Sequence, residues 1–262
     1  MESTILLQVE AGVAIITLNR PKQLNSFNPE MHKALKKALK DAEQDDSVRA
    51  ILLTGTGRGF CAGQDLNDRN VNSGEEMPDL GESIEKFYNP LIKQISAMPK
   101  PVIAAVNGVA AGAGANIALA CDIVFAAESA SFIQAFCKIG LIPDSGGTWT
   151  LPRVIGMARA KALTLLGDKV SASQAEEWGM IWQCVADDEL IEKALSVANH
   201  LATQPTKGLG FIKHALNHSS QNRLDEQLEL EKDLQRLAGR TQDYREGISA
   251  FFDKRAPEFK GK

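Results

Sequence analysis

The sequence has little of what builds metal centres and disulfide frameworks. Its 262 residues include four cysteines and four histidines. Cys61, Cys121, Cys137 and Cys184 are far apart, form no C-x-x-C and sit among small or apolar neighbours. That excludes a zinc ribbon and a disulfide scaffold and points to a reducing cytoplasm, with no metal ligand set to assign. No sign of charge prevails either: 29 Lys and Arg are interspersed with 33 Asp and Glu, for a net charge of -4. A nucleic-acid-binding stripe is thereby excluded, although local cations can still meet an anionic small molecule. The N-terminus carries Glu2 and Glu10 and an alternating pattern, not the basic and then apolar order of a signal peptide. The longest charge-free stretch, residues 101–121, contains Gly108-x-x-x-Gly112. This is the pattern of a membrane-helix contact, but alanine and glycine dominate and Asn107 and Asn116 interrupt it, so a buried strand, a turn and a packed helix are expected and no membrane span. Finally, Gly55-x-Gly57-x-Gly59 and Gly112-x-Gly114-x-Asn116 fail both the dinucleotide and the phosphate-loop spacings, which removes a nicotinamide cofactor.

What is present suits one substantial core, with 44% hydrophobic against 24% charged residues. Residues 6–10 and 13–18 read as a hairpin, and Asn28-Pro29 starts a helix running to about Asp45. Residues 50–54, 102–106, 123–126 and 181–185 are strand-like runs separated by helical ones, the alternation of an α/β fold with a parallel sheet. A polar run between Asn67 and Leu80 is expected to be a loop near a site mouth. No internal repeat is visible. Beyond Lys207 the pattern turns helical: Leu224, Leu228, Leu234 and Leu237 mark one amphipathic helix that Gly239 ends, and Tyr244, Ile248, Phe251 and Phe252 mark another. The expected division is a core over residues 1–205 and a helical region over 206–262, shared with a neighbouring subunit.

Two glycine-rich turns carry the chemistry. Arg58-Gly59-Phe60-Cys61-Ala62-Gly63-Gln64-Asp65 and Asn107-Gly108-Val109-Ala110-Ala111-Gly112-Ala113-Gly114-Ala115-Asn116 each follow an apolar run, and each is expected to lead into a helix. Small residues let a ligand approach the main chain, and the first N–H groups of a helix have no internal partner. Two such turns can make an oxyanion hole. The alternative is that the glycines only permit tight helix–sheet packing.

At these residues the chain resembles the enoyl-CoA hydratase/isomerase superfamily, the crotonase fold. The resemblance runs from Leu18-Asn19-Arg20-Pro21-Lys22-Gln23-Leu24-Asn25 through Gly59-Phe60-Cys61-Ala62-Gly63-Gln64-Asp65-Leu66, Val106-Asn107-Gly108, Cys121-Asp122 and Pro143-Asp144-Ser145-Gly146-Gly147-Thr148 to the tail from Lys254 to Lys262. It implies stacked β-β-α units, a homotrimer or dimer of trimers that can associate with a related hydratase, and an acyl-CoA thioester as ligand. It further implies that the thioester oxygen accepts from the backbone N–H groups of Gln64 and Ala113, while Lys22, Leu24, Ala62, Asp65 and Leu66 line the CoA path. Coenzyme A is then part of the substrate and no other cofactor is called for. Asp65 can equally cap a helix after the first turn.

Hydratases of this superfamily carry one glutamate in the helix after the second turn and another about twenty residues on. Here Asn116 and Phe136 stand in those places. An amide and a phenyl ring exchange no proton at neutral pH, so water addition is not expected. Asn116 is left as either a polar pocket contact or a plain helix residue. The remaining acid is Asp144, where the resemblance places the acid of isomerases; the competing reading is a cap for a helix beginning near Gly146. Ile142, Phe132, Phe136 and Trp149 are expected to surround Asp144 with apolar groups. The motifs at 59–70, Phe87-Tyr88-Asn89-Pro90-Leu91 and Leu141-Ile142-Pro143-Asp144 are most similar to the branch that isomerises ring-1,2-epoxyphenylacetyl-CoA to oxepin-CoA in phenylacetate catabolism, with a related shift of 3-enoyl-CoA to 2-enoyl-CoA. The alternatives are a non-catalytic acyl-CoA-binding subunit and a hydrolytic dehalogenase or thioesterase with Asp144 as nucleophile. The latter wants a histidine base, and His32, His200, His214 and His218 are all distant from these motifs in sequence.

Overall fold

The computed structural model describes residues 3–69 and 79–262. Its first element is the expected hairpin, β1 (Ile5–Glu10) and β2 (Val13–Leu18), paired antiparallel with Ile5 opposite Leu18. Both loop residues, Ala11 and Gly12, have positive φ (49° and 81°), the handedness that a two-residue hairpin turn requires. Asn28 then caps α1 (Pro29–Gln44), its side-chain oxygen accepting from the Met31 N–H at 2.9 Å. The helix buries Met31, Leu35, Ala38, Leu39 and Ala42, a spacing of three and four that lays one face on the core.

A unit of strand, short strand and helix then recurs three times. It runs first as β3 (Ala50–Gly55), β4 (Gly59–Cys61), the short helix α2 (Leu80–Ser83), a π-helical turn over Ile84–Tyr88 and α3 (Asn89–Ala97). The second is β5 (Val102–Val106), β6 (Val109–Ala111) and α4 (Ala113–Leu119), and the third is β7 (Ile123–Ala127), β8 (Ser131–Ile133) and α5 (Gly147–Leu166). The repetition is structural with no counterpart in the sequence. A short β9 (Lys169–Ser171), α6 (Ala172–Glu177), β10 (Gln183–Val185) and α7 (Leu190–Ala202) complete the core, and α8 (Thr206–Ser219), α9 (Leu224–Ala238) and α10 (Gln242–Asp253) follow.

The first strand of each unit joins a six-stranded sheet of order β1-β2-β3-β5-β7-β10, parallel from β2 onward. The second joins a separate sheet of order β4-β6-β8-β9, in which only β9 runs antiparallel. β3 and β5 are buried at nearly every position because both sheet faces are covered, as a parallel sheet requires, and α7 packs on β3 and β5. The charge-free stretch 101–121 is thus β5, a turn, β6 and α4, and no helix among the described residues is long and apolar enough to cross a membrane.

One expectation is corrected. The first glycine-rich turn leads through β4 into a 3-10 turn over Leu66–Arg69, not into an α-helix. Most of the polar run between Asn67 and Leu80 lies outside the described residues. The second turn does lead into a helix, α4, all of whose residues are buried.

Candidate active site

The two turns meet backbone to backbone. Gly63 has φ of 88°, and a β-carbon there would lie 2.9 Å from the Ala111 carbonyl oxygen and 3.3 Å from the Ala113 nitrogen. Only glycine satisfies both the conformation and the closeness. Ala113 is the first residue of α4 and Gln64 directly follows Gly63, so their N–H groups belong to adjoining stretches of main chain. Among the described residues neither donates to a carbonyl. The neighbouring amides are engaged: Gly112 N–H donates to Ile133, Ala62 N–H to Leu24 and Asp65 N–H to Phe27.

Residues 24–27 run beside 62–65, tied by Ala62 N–H to Leu24 O at 2.9 Å and Phe27 N–H to Gly63 O at 2.7 Å. This places Leu24 beside Ala62, with Lys22 two residues earlier in the chain and Asp65 and Leu66 directly following Gln64. Lys22 and Leu66 are exposed, Leu24 and Ala62 half-buried. Asp65 is buried and ion-paired with Arg20 at 2.9 Å, and its other oxygen accepts from the Asn67 N–H at 3.1 Å, so it does cap the turn that follows, a 3-10 turn. Burial opposes its charge, but the Arg20 and Asn67 hydrogen bonds and the Arg20 charge outweigh this and hold the carboxyl below its ordinary value. Cys61 is inert: burial pushes its thiol up to about 12.

The Gln64 side chain is anchored from behind. Tyr88, the last residue of the π-helical turn and fully buried, donates its hydroxyl to the Gln64 side-chain oxygen at 2.9 Å. His32 packs edge-on to Tyr88, with ring centroids 4.5 Å apart, and stacks on Phe87. Sequence distance had set every histidine apart from the site; in space His32 is two contacts from Gln64, enclosed by aromatic rings. No local sequence pattern signals this, because α1 and the π-helical turn meet only in the folded chain.

Asp144 follows Pro143 on the connection into α5. Its side chain does not cap that helix: the N-cap position is Gly146, and it is the Asp144 carbonyl that takes the Gly147 N–H, at 2.9 Å. The carboxylate accepts from the Ser145 hydroxyl at 2.9 Å. Ser145 itself is buried with φ of 51°, a left-handed conformation costing a non-glycine residue about 1–2 kcal/mol. The apolar surroundings expected for Asp144 are incomplete. Phe132 and Phe136 are buried, but Ile142 is 80% exposed and Trp149 44%, and Asp144 is half-buried. Residues 140–142 are exposed, and burial in this connection begins only at Ser145.

Asn116 and Phe136 are both in the site. Phe136 lies over the start of α4, its ring 3.7 Å from where a β-carbon on Gly112 would stand. Asn116 is buried on α4, donates to the Asp144 carbonyl at 2.8 Å and accepts from Gln134 at 2.8 Å. Its amide is thus engaged by the backbone of Asp144 and by Gln134, two segments outside its own helix.

Residues 8–262 match the family described as enoyl-CoA hydratase/isomerase. The chain is 63% identical, over the full length of both, to 1,2-epoxyphenylacetyl-CoA isomerase of Escherichia coli. It is 36% identical to 2,3-dehydroadipyl-CoA hydratase of the same organism, covering 99% of this chain and 100% of the relative. An enoyl-CoA hydratase crystal structure from Bacillus anthracis superposes with a TM-score of 0.90 at 34% identity, covering 99% of this chain and 100% of that one. The expected architecture of stacked β-β-α units is theirs too.

Proposed function

We propose that this chain, which belongs to the enoyl-CoA hydratase/isomerase family, is an acyl-CoA isomerase that converts ring-1,2-epoxyphenylacetyl-CoA to oxepin-CoA and also shifts 3-enoyl-CoA to 2-enoyl-CoA. The observation that carries the reading is the presence of two unengaged turn amides, at Gln64 and Ala113, together with Asp144, whose backbone carbonyl is held by Asn116 of the helix that Ala113 begins. The 63% identity to the E. coli isomerase supports the ring-epoxide substrate.

The thioester oxygen accepts from the Gln64 and Ala113 N–H groups, and negative charge developing there is stabilised by two fixed donors, that of Ala113 at a helix start, each worth about 2.7–4 kcal/mol in the transition state. This makes the proton on the carbon beside the carbonyl acidic. Asp144 takes that proton, the electron pair passes into the enolate, and the proton is returned to another carbon of the same acyl group. Substrate and product are isomers, so the cycle needs no net oxidant or reductant. Lys22, Leu24, Ala62, Asp65 and Leu66 line the CoA path, and the pairing of Leu24 with Ala62 supports that role.

Self-association as a homotrimer or dimer of trimers is supported by the apolar residues that α9 and α10 leave exposed, Phe251 (77%) and Leu224 (72%) among them. The four free cysteines fit a reducing cytoplasm. The test is to incubate the purified protein with the epoxide thioester and with a linear 3-enoyl-CoA and follow the products. Oxepin thioester is expected from the first, and no conversion of either substrate overturns the reading.

A further inference from the structure

Asp144 is fixed in place by a residue that cannot itself carry a proton. The Asn116 amide nitrogen donates to the Asp144 carbonyl oxygen at 2.8 Å, while its amide oxygen accepts from the Gln134 amide nitrogen at 2.8 Å. Both side chains are 2% exposed. The directions admit no exchange: the Asp144 carbonyl can only accept, so Asn116 presents its NH2 there and its oxygen to Gln134, which must donate. The space is equally determined. A β-carbon on Gly147 would lie 2.4 Å from the Asn116 amide nitrogen, so the turn after Asp144 closes directly onto this amide. Ser145, between them, is held left-handed, a conformation that persists only where its surroundings enforce it.

We propose that Asn116, oriented by Gln134, is a positioning residue for Asp144: it fixes the backbone from which the carboxylate reaches the substrate. The proposal rests on the reading of Asp144 as the proton carrier. A carboxylate at position 116 would turn acceptor oxygens toward the Asp144 carbonyl and repel it, so the amide is specific to a site with one acid. Asn116 also stands one helical turn beyond Ala113 on α4, so one short buried helix sets the separation between an oxyanion donor and the base. Proton transfer is steep in that separation, and a displacement of about 1 Å can lower turnover on the order of 100-fold.

The test compares Asn116→Ala, Gln134→Met, their double variant and Asp144→Asn, each in the intact protein, for kcat and KM on the epoxide thioester and for thermal unfolding. Asn116→Ala is expected to lower kcat about 10- to 100-fold while KM stays close to wild type, because the groups that hold the thioester and CoA are untouched. Gln134→Met is expected to lower kcat less, and to add little on top of Asn116→Ala, since it acts through the same amide. A purely structural role would lower the unfolding temperature and leave kcat per folded molecule unchanged; that outcome overturns the proposal. If Asn116→Ala does not fold, the near-isosteric Gln134→Met decides by the same kcat criterion. If Asp144→Asn retains turnover, the underlying reading of Asp144 fails instead, and the two failures are told apart.

Discussion

The Tyr88 hydroxyl donates to the Gln64 side-chain oxygen at 2.9 Å from a fully buried ring. The residue whose main chain carries one proposed oxyanion donor is thus tied through its side chain to an aromatic core. Tyr88→Phe keeps the ring and removes the donor, leaving an amide oxygen to find another partner. A stability loss of about 0.5–1.5 kcal/mol is expected in chemical denaturation, with a severalfold fall in kcat and a smaller change in KM. Unchanged kcat would show that Gln64 does not need this anchor.

Ala113→Pro tests the other donor cleanly. Position 113 is the first residue of α4, where proline is tolerated because the N–H has no role inside the helix. The variant should therefore fold and lose the N–H alone. Turnover is expected to drop on the order of 100- to 1000-fold, and a folded variant with full turnover would remove Ala113 from the site.

Asp144→Asn preserves shape and the Ser145 contact but accepts no proton. Acyl-CoA binding should persist while isomerisation and exchange of the acidic carbon's proton with deuterated solvent are lost together. Persistence of both near the wild-type rate would assign the base elsewhere.

Hydration of 2-enoyl-CoA should be negligible. With Asn116 engaged by Asp144 and Gln134 and Phe136 lying over the start of α4, neither place offers a group to activate water. The measurement is formation of 3-hydroxyacyl-CoA by protein free of host hydratase, and rapid formation contradicts the mechanism.

The Arg20–Asp65 pair gives a pH-dependent prediction. The Asp65 carboxyl titrates below its ordinary value in the folded protein despite its burial. Its stabilising contribution is therefore complete above the unfolded value of about 3.9 and is lost as pH falls through the lower folded value. Arg20→Met, which strands a carboxylate that is 7% exposed, should destabilise by about 3 kcal/mol near neutrality. The difference from wild type should shrink on acidification below about pH 4. A pH-independent difference would mean that Arg20 acts by packing alone.

Much of this was legible in the sequence because it rests on local rules. Continuous apolar runs identified β3 and β5 as buried parallel strands, Asn28-Pro29 marked the start of α1, and the glycines of both turns marked where backbones meet. The second sheet was not legible: β4, β6, β8 and β9 have three residues each, too few to display a two-residue alternation. The first turn was misjudged for the same reason, since Gly59-Phe60-Cys61 is a strand of that sheet. In the site, the proposed acid was found by resemblance, whereas the Asn116 contact with a carbonyl 28 residues away and the approach of His32 to Tyr88 depend on how separate units stack. Asp144 was weighed as a cap for a helix beginning near Gly146 because Pro143-Asp144 suits a turn; the Gly147 N–H does donate to Asp144, but to its backbone carbonyl.

Because the proposed anion cradle is made of amide nitrogens at Gln64 and Ala113, a change of side chain at those two positions leaves the donors themselves in place. Of the standard residues only proline lacks the hydrogen. The proposed proton carrier is different, for Asp144 would act through its side chain and a single substitution removes it. The two halves of the proposed chemistry are therefore unequally exposed to substitution: exchanging Asp144 would alter what becomes of an enolate while leaving in place the two amides proposed to stabilise it.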